Sequence, residues 1–227
     1  MFFATDRSAF GPLRGAVLGL VPLLFAAASL WAQQPREAKL FAIDGAGSRL
    51  TVLLAREGLF SAFAHDHVLV AREISGQVVL GGTAPGQARL RLTVPVRALV
   101  VDPPAARAEE GLQGTPSEAE KREIRANMLG KAQLDAARFP NIVVSWEGVR
   151  GEWPNLTLAV RVRIRGRQKI VPASITVGLE GNILTVEGEM ALRQSDFGIE
   201  PFQLFLGTVA VRDEVRIKFT LRARRKN

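Results

Sequence analysis

Along most of the chain apolar and polar residues alternate with a period of two. Leu156, Leu158, Val160, Val162 and Ile164 fall on one side of an extended segment, and Thr157, Arg161, Arg163 and Arg165 on the other. Leu90, Leu92, Val94 and Val96 alternate with Arg89, Arg91 and Arg97, and Val215, Ile217, Phe219 and Leu221 alternate with Arg216, Lys218 and Arg222. Further apolar rows are Leu50, Val52, Leu54; Ile142, Val144, Trp146; Val171, Ala173, Ile175, Val177, Leu179; and Leu184, Val186, Met190, Leu192. Alternate residues of a strand point to opposite faces, so each segment predicts a strand with one apolar face and one basic or polar face. Glycine clusters at 45–48 and 81–86, and the glycines at 166 and 181, predict turns between them. Residues 68–80 read as one further extended segment with a bulge at Gly76, and Pro95 marks an edge or a bulge.

About eight such strands at regular spacing predict an all-β protein, an antiparallel sandwich or barrel. A barrel of that size either fills with side chains or encloses one small ligand. Its long strands make a deep apolar interior suited to an elongated ligand. Leu158, Val160, Val162, Val177, Val186 and Ile217 are expected to face that lumen. The opposite assignment, apolar faces toward lipid and arginines inside, describes an outer-membrane barrel. Such barrels carry aromatic girdles, whereas this chain has no tyrosine and three tryptophans.

The period changes once. After a Pro- and Gly-rich stretch at 102–116, expected to be a long loop, the residues from Ser117 to Leu129 predict a helix. Ser117 and Glu120 form a capping-box pattern, Ile124 and Met128 share a face, and Gly130 ends it. One short helix inside a β-protein is expected to act as a lid on an open end.

The first 32 residues read as an export signal: Arg7 and Arg14, an apolar core from Ala16 to Leu30, and a small residue at Ala32. Residues 33–39 read as a linker and 40–224 as the folded domain. Periplasmic or secreted localisation follows. An exported chain without cysteine must hold itself by its core. The formal charge of +8 invites a nucleic-acid reading. Export and the even spread of arginine along many strands argue against that partner. Weak attraction to an anionic membrane surface fits both facts better.

The only two histidines, His65 and His67, flank Asp66. On a strand both would share a face with Phe63 and Leu69, opposite Asp66. Such a pair can bind a metal or a ligand's polar head. A metal site usually needs three or four ligands, so the head-group role is preferred and no cofactor is implied. Ser195 and Asp196, in the run Ser195-Asp-Phe-Gly198, are further candidates for a head-group contact at the barrel mouth. Local turn chemistry accounts for the same residues. No nucleophile elbow, phosphate loop or cysteine is present, so no catalytic constellation emerges.

Several segments together resemble the YceI-like family of exported lipid-binding proteins. Phe41-Ala-Ile-Asp44 with Ser48 is similar to its opening, and Leu134-Asp-Ala-Ala-Arg-Phe-Pro-Asn-Ile142 to the segment after its helix. Ile164-Arg-Gly166, Arg193-Gln-Ser-Asp-Phe-Gly-Ile199 and the closing strand to Leu221 complete the match. The resemblance implies an extended, lipocalin-like antiparallel barrel holding a polyisoprenoid or similar amphiphile, and not an enzyme. The chain departs from the family at Phe63-Ala-His-Asp-His67. Two readings stay beside the carrier: a metal-dependent or hydrolytic enzyme centred on His65, Asp66 and His67, and an envelope interaction module.

Overall fold

The computed structural model describes residues 38–58, 65–81, 88–204, 206 and 208–226, all within one compact unit, Pro35–Asn227. The expected leader, most of the linker, Phe63 and the turn residues 82–86 lie outside the described residues.

Among the described residues the chain forms strands β1 (Lys39–Ile43), β2 (Arg49–Leu54), β3 (Arg56–Glu57), β4 (His67–Ala71), β5 (Ser75–Leu80), β6 (Arg89–Pro95), β7 (Leu99–Val101), β8 (Asn141–Glu152), β9 (Asn155–Ile164), β10 (Arg167–Glu180), β11 (Ile183–Arg193), β12 (Gln203–Leu204), β13 (Val209–Val211) and β14 (Glu214–Arg225). Two helices, α1 (Pro104–Glu109) and α2 (Glu118–Leu129), lie between β7 and β8. The strands form a closed eight-stranded antiparallel barrel in the order β1-β5-β6-β8-β9-β10-β11-β14, with β14 returning to β1. Toward the other end β14 pairs with β2, β2 with β4 and β4 with β7. These are the continuations of three barrel strands that kink midway: β1 into β2, β5 back into β4, and β6 through a short 3-10 turn into β7.

Long strands serve this closure because a sheet must twist and tilt to meet itself. β8 to β11 and β14 supply unbroken runs of ten to fourteen residues. β9 and β10 join through a two-residue turn, Arg165 and Gly166, both with positive φ (50° and 75°). That conformation matches the strand twist. Gly76 does not form the expected bulge, since its pairing with β6 runs without a shift. It has φ of 152°, and a Cβ there would sit 2.1 Å from the Arg91 carbonyl oxygen, so this crossing excludes any side chain. The register shift lies instead in β8, between Trp146 and Gly148.

The apolar rows point inward. On β9, Leu156, Leu158, Val160, Val162 and Ile164 are buried, while Thr157 and Arg163 are exposed. This orientation overturns the outer-membrane reading, which needs the apolar row outside. Among the described residues no helix is long and apolar enough to cross a membrane.

The stretch 102–116 is not all loop. Pro104 occupies the first turn of α1, where a missing N–H costs nothing. α1 lies against β4, with Ala106 buried. Its C-terminal end is tied to the barrel wall by Glu109 to Arg49 and by Glu110 to Lys218 at 2.6 Å. α2 begins at Ser117, whose hydroxyl accepts from Glu120 N–H at 3.3 Å while the Glu120 carboxylate accepts from the Ser117 N–H at 2.7 Å. The sheet order ends at β7, and α2 covers that edge. Arg125 donates to the carbonyls of Leu99 (2.5 Å) and Arg97 (2.7 Å).

Candidate functional site

The barrel encloses two chambers. The first, about 310 Å³, is lined by Leu80, Leu90, Val149, Val177, Val186, Phe219, Trp146 and Trp153 among others. Among the described residues no charged or amide side chain enters its wall. Trp146 turns its indole N–H to the Ala88 carbonyl at 2.6 Å, leaving its ring faces apolar. The second chamber, about 230 Å³, lies beneath α2. Ile124 and Met128 form part of its wall with Leu69, Val162, Ile164 and Ile217, and so do His67, Asn127, Gln133 and Gln194. Leu50, Val144 and Met190 line both chambers, which are therefore two lengths of one lumen. One length is wholly apolar and the other carries a few polar groups.

Leu158, Val160, Val177 and Val186 line the first chamber, and Val162 and Ile217 the second. His65 and His67 do not share a strand face. β4 begins at His67, and His65 lies before it, exposed, with its ring over Gly114. Between the two histidines, Asp66 accepts from the Arg56 N–H at 2.8 Å. Only His67 reaches the lumen wall. Ser195 and Asp196 line neither chamber. Ser195 donates its hydroxyl and its amide to the Asp213 carboxylate at 2.6 and 2.8 Å, and Asp196 pairs with Lys169 at 3.2 Å. Both belong to a 3-10 turn that Gly198 closes with a φ of 71° and that buries Phe197. These side chains tie the turn to Asp213 and to Lys169, contacts distant in sequence rather than the local turn bonds expected. The neighbouring Gln194 faces the chamber instead.

Sequence reading missed the residues that hold His67. Its Nδ1 lies 2.7 Å from Asp102 Oδ2. Asp102 Oδ1 accepts from the Val68 N–H at 3.0 Å and from Arg107 Nη1 at 2.8 Å. Arg107 is itself buried and spends the rest of its guanidinium on the carbonyls of Asp66, Gln113 and Gly114. Burial pushes the Asp102 carboxyl up, but the hydrogen bonds from His67, Val68 and Arg107 outweigh it and hold the group below the usual carboxylate range. The Glu120 carboxyl is also lowered, by its hydrogen bonds from the Ser117 hydroxyl and amide. Asp102 has a φ of 49°, uncommon for a residue with a side chain. In the sequence, the two prolines that follow Asp102 were the available sign of a built turn. Among the described residues no three His, Asp or Glu side chains converge to hold a metal ion.

The chain belongs to the YceI-like family: the model of the YceI-like domain matches residues 41–223. Members of this family are in general binding proteins for lipids and other hydrophobic ligands rather than enzymes. No curated protein sequence matches the chain. Among solved structures the barrel is similar to BcnA of Burkholderia cenocepacia, at 18% identity and a TM-score of 0.59, over 79% of this chain and 98% of that one. It is also similar to a mutant YceI protein crystallised with a monobromobimane guest, at 11% identity and a TM-score of 0.50, over 70% of this chain and 85% of that one. A Campylobacter jejuni YceI protein matches at 13% identity, with a TM-score of 0.47 over the same shares. At these identities the likeness is one of fold.

Proposed function

We propose that the protein is an exported carrier that holds a polyisoprenoid or similar amphiphilic lipid lengthwise in its barrel. The observation that carries this reading is the lumen itself: two adjoining apolar chambers of about 310 and 230 Å³, polar at one end only. Ligand sites are concave, mostly apolar, and hold a few placed polar groups. An amphiphile with one polar head has the same asymmetry. β10 alone, with fourteen residues, extends about 45 Å, so the barrel suits a long chain better than a compact ring. The six apolar residues from Leu158 to Ile217 named above would contact the tail, and His67 the head.

Export to the periplasm or beyond, after removal of the N-terminal 32 residues, belongs to the same reading and rests on the leader-like sequence. The arginine-bearing outer strand faces support weak attraction to anionic membrane. Mass spectrometry of organic extracts from the purified protein tests the carrier reading. A lipid at near-stoichiometric amount is the expected result, and bound metal without lipid would favour an enzyme.

A further inference from the structure

We propose that the chamber beneath α2 selects a lipid whose uncharged head carries a hydroxyl, an alcohol or a phenol, over the same lipid bearing an ether or a phosphate. The inference rests on the carrier reading and names the head group it would accept.

The Asp102 carboxylate receives three donors, from His67, Val68 and Arg107. An ionised carboxylate can only accept, so the proton of the uncharged His67 ring stands on Nδ1. The lone pair then stands on Nε2, and no described residue bonds to that nitrogen. Arg107 balances the Asp102 charge from 2.8 Å. The charged groups facing His67 are Asp102, Arg107 with its charge spent inside the protein, Glu120 of α2, and His65 beyond it.

Two other polar side chains of the wall have the same sense. Gln133 gives its amide N–H to the Glu200 carbonyl, and Gln194 gives its own to the Arg212 carbonyl, both at 2.8 Å. Their oxygens have no hydrogen-bond donor among the described residues. Asn127 adds an amide that can donate or accept. Among the described residues the wall therefore offers mainly acceptors, and no lysine or arginine lines it. A hydroxyl meets His67 Nε2 with a donor. An ether brings none, and a phosphate would bring negative charge into an apolar cavity without a cation to receive it.

The test uses purified, delipidated protein and three probes with one tail: farnesol, farnesyl methyl ether and farnesyl monophosphate. Trp146 and Trp153, in the far chamber, report tail entry by fluorescence independently of the head. Farnesol is expected to bind about fivefold or more tightly than the ether, the scale of one hydrogen bond at a protected site, and more tightly than the phosphate. His67→Leu should close the gap between alcohol and ether to within about twofold. Equal affinity for alcohol and ether in the wild type, tightest binding of the phosphate, or a gap that survives His67→Leu would each overturn the proposal while leaving a lipid carrier. Binding of none of the three would overturn the proposal and count against the carrier reading as well.

Discussion

Asp102 continues the β4–β7 ladder past the end of β7 with its own side chain. Its backbone N–H donates to the Val68 carbonyl at 2.8 Å, and its Oδ1 accepts the Val68 N–H at 3.0 Å, where a strand residue would offer a carbonyl. The positive φ turns the backbone away toward α1 while the carboxylate completes the pairing. One residue thus ends a strand, neutralises buried Arg107 and fixes the ring of His67. Asp102→Asn keeps the shape and removes the charge, leaving Arg107 buried without a counterion. Loss of one partner of a buried pair costs about 3 kcal/mol. Urea denaturation of wild type and variant should show a loss of that order. A change below about 0.5 kcal/mol, the scale of an ordinary surface substitution, would mean that the guanidinium is satisfied by its carbonyl partners alone.

The same carboxylate predicts an acid dependence. The Asp102 carboxyl is lowered in the folded protein, so the unfolded chain takes up its proton first as pH falls. Its contribution is fully present above the unfolded value of about 3.9 and is lost as pH drops through the folded value. The stability difference between wild type and Asp102→Asn should therefore persist down to about pH 5 and shrink below about pH 4. Denaturation midpoints measured across that range check it. A difference that stays unchanged below about pH 4 would assign the effect to something other than this carboxyl.

α2 stands against the β7 edge, its first turn fixed by the capping box and its body tied to the edge by Arg125. Ser117→Ala removes one half of the capping box, worth about 1 kcal/mol. Arg125→Ala frees the Leu99 and Arg97 carbonyls. If ligand passes beneath α2, both variants should speed exchange of a fluorescent fatty probe more than they lower global stability, because local opening costs less than unfolding. Stopped-flow release compared with thermal unfolding separates the two effects, and unchanged release rates would place the entrance elsewhere.

The barrel was legible because alternation is a local signal. A strand such as β9 declares which residues face inward within ten positions, and Leu158, Val160 and Val162 stand in the lumen wall accordingly. The capping box of α2 was legible for the same reason, being four residues long. His67 and Asp102 are thirty-five residues apart in sequence, and only the pairing of β4 with β7 brings them together. Pattern along the chain carries no trace of that contact. The expected pairing of His65 with His67 failed at a strand boundary. β4 starts one residue after Asp66, so the two-residue period does not extend back to His65.

Val160 tests the inner surface most directly. It is 4% exposed, sits mid-strand on β9 between Val171 of β10 and Trp146 of β8, and lines the apolar chamber. Val160→Asp places a carboxylate where no described lining side chain carries a positive charge to neutralise it, at a cost of several kcal/mol. The neighbouring Arg161 projects outward, so Arg161→Asp changes charge at the same height of the barrel without entering the lumen. Val160→Asp is expected to lower the unfolding midpoint sharply and to reduce co-purifying lipid, and Arg161→Asp to do neither beyond a small surface effect. Thermal unfolding and organic extraction of both variants provide the check. Equal behaviour of the two would show that position on the lumen wall, the basis of the carrier reading, does not govern what the barrel holds.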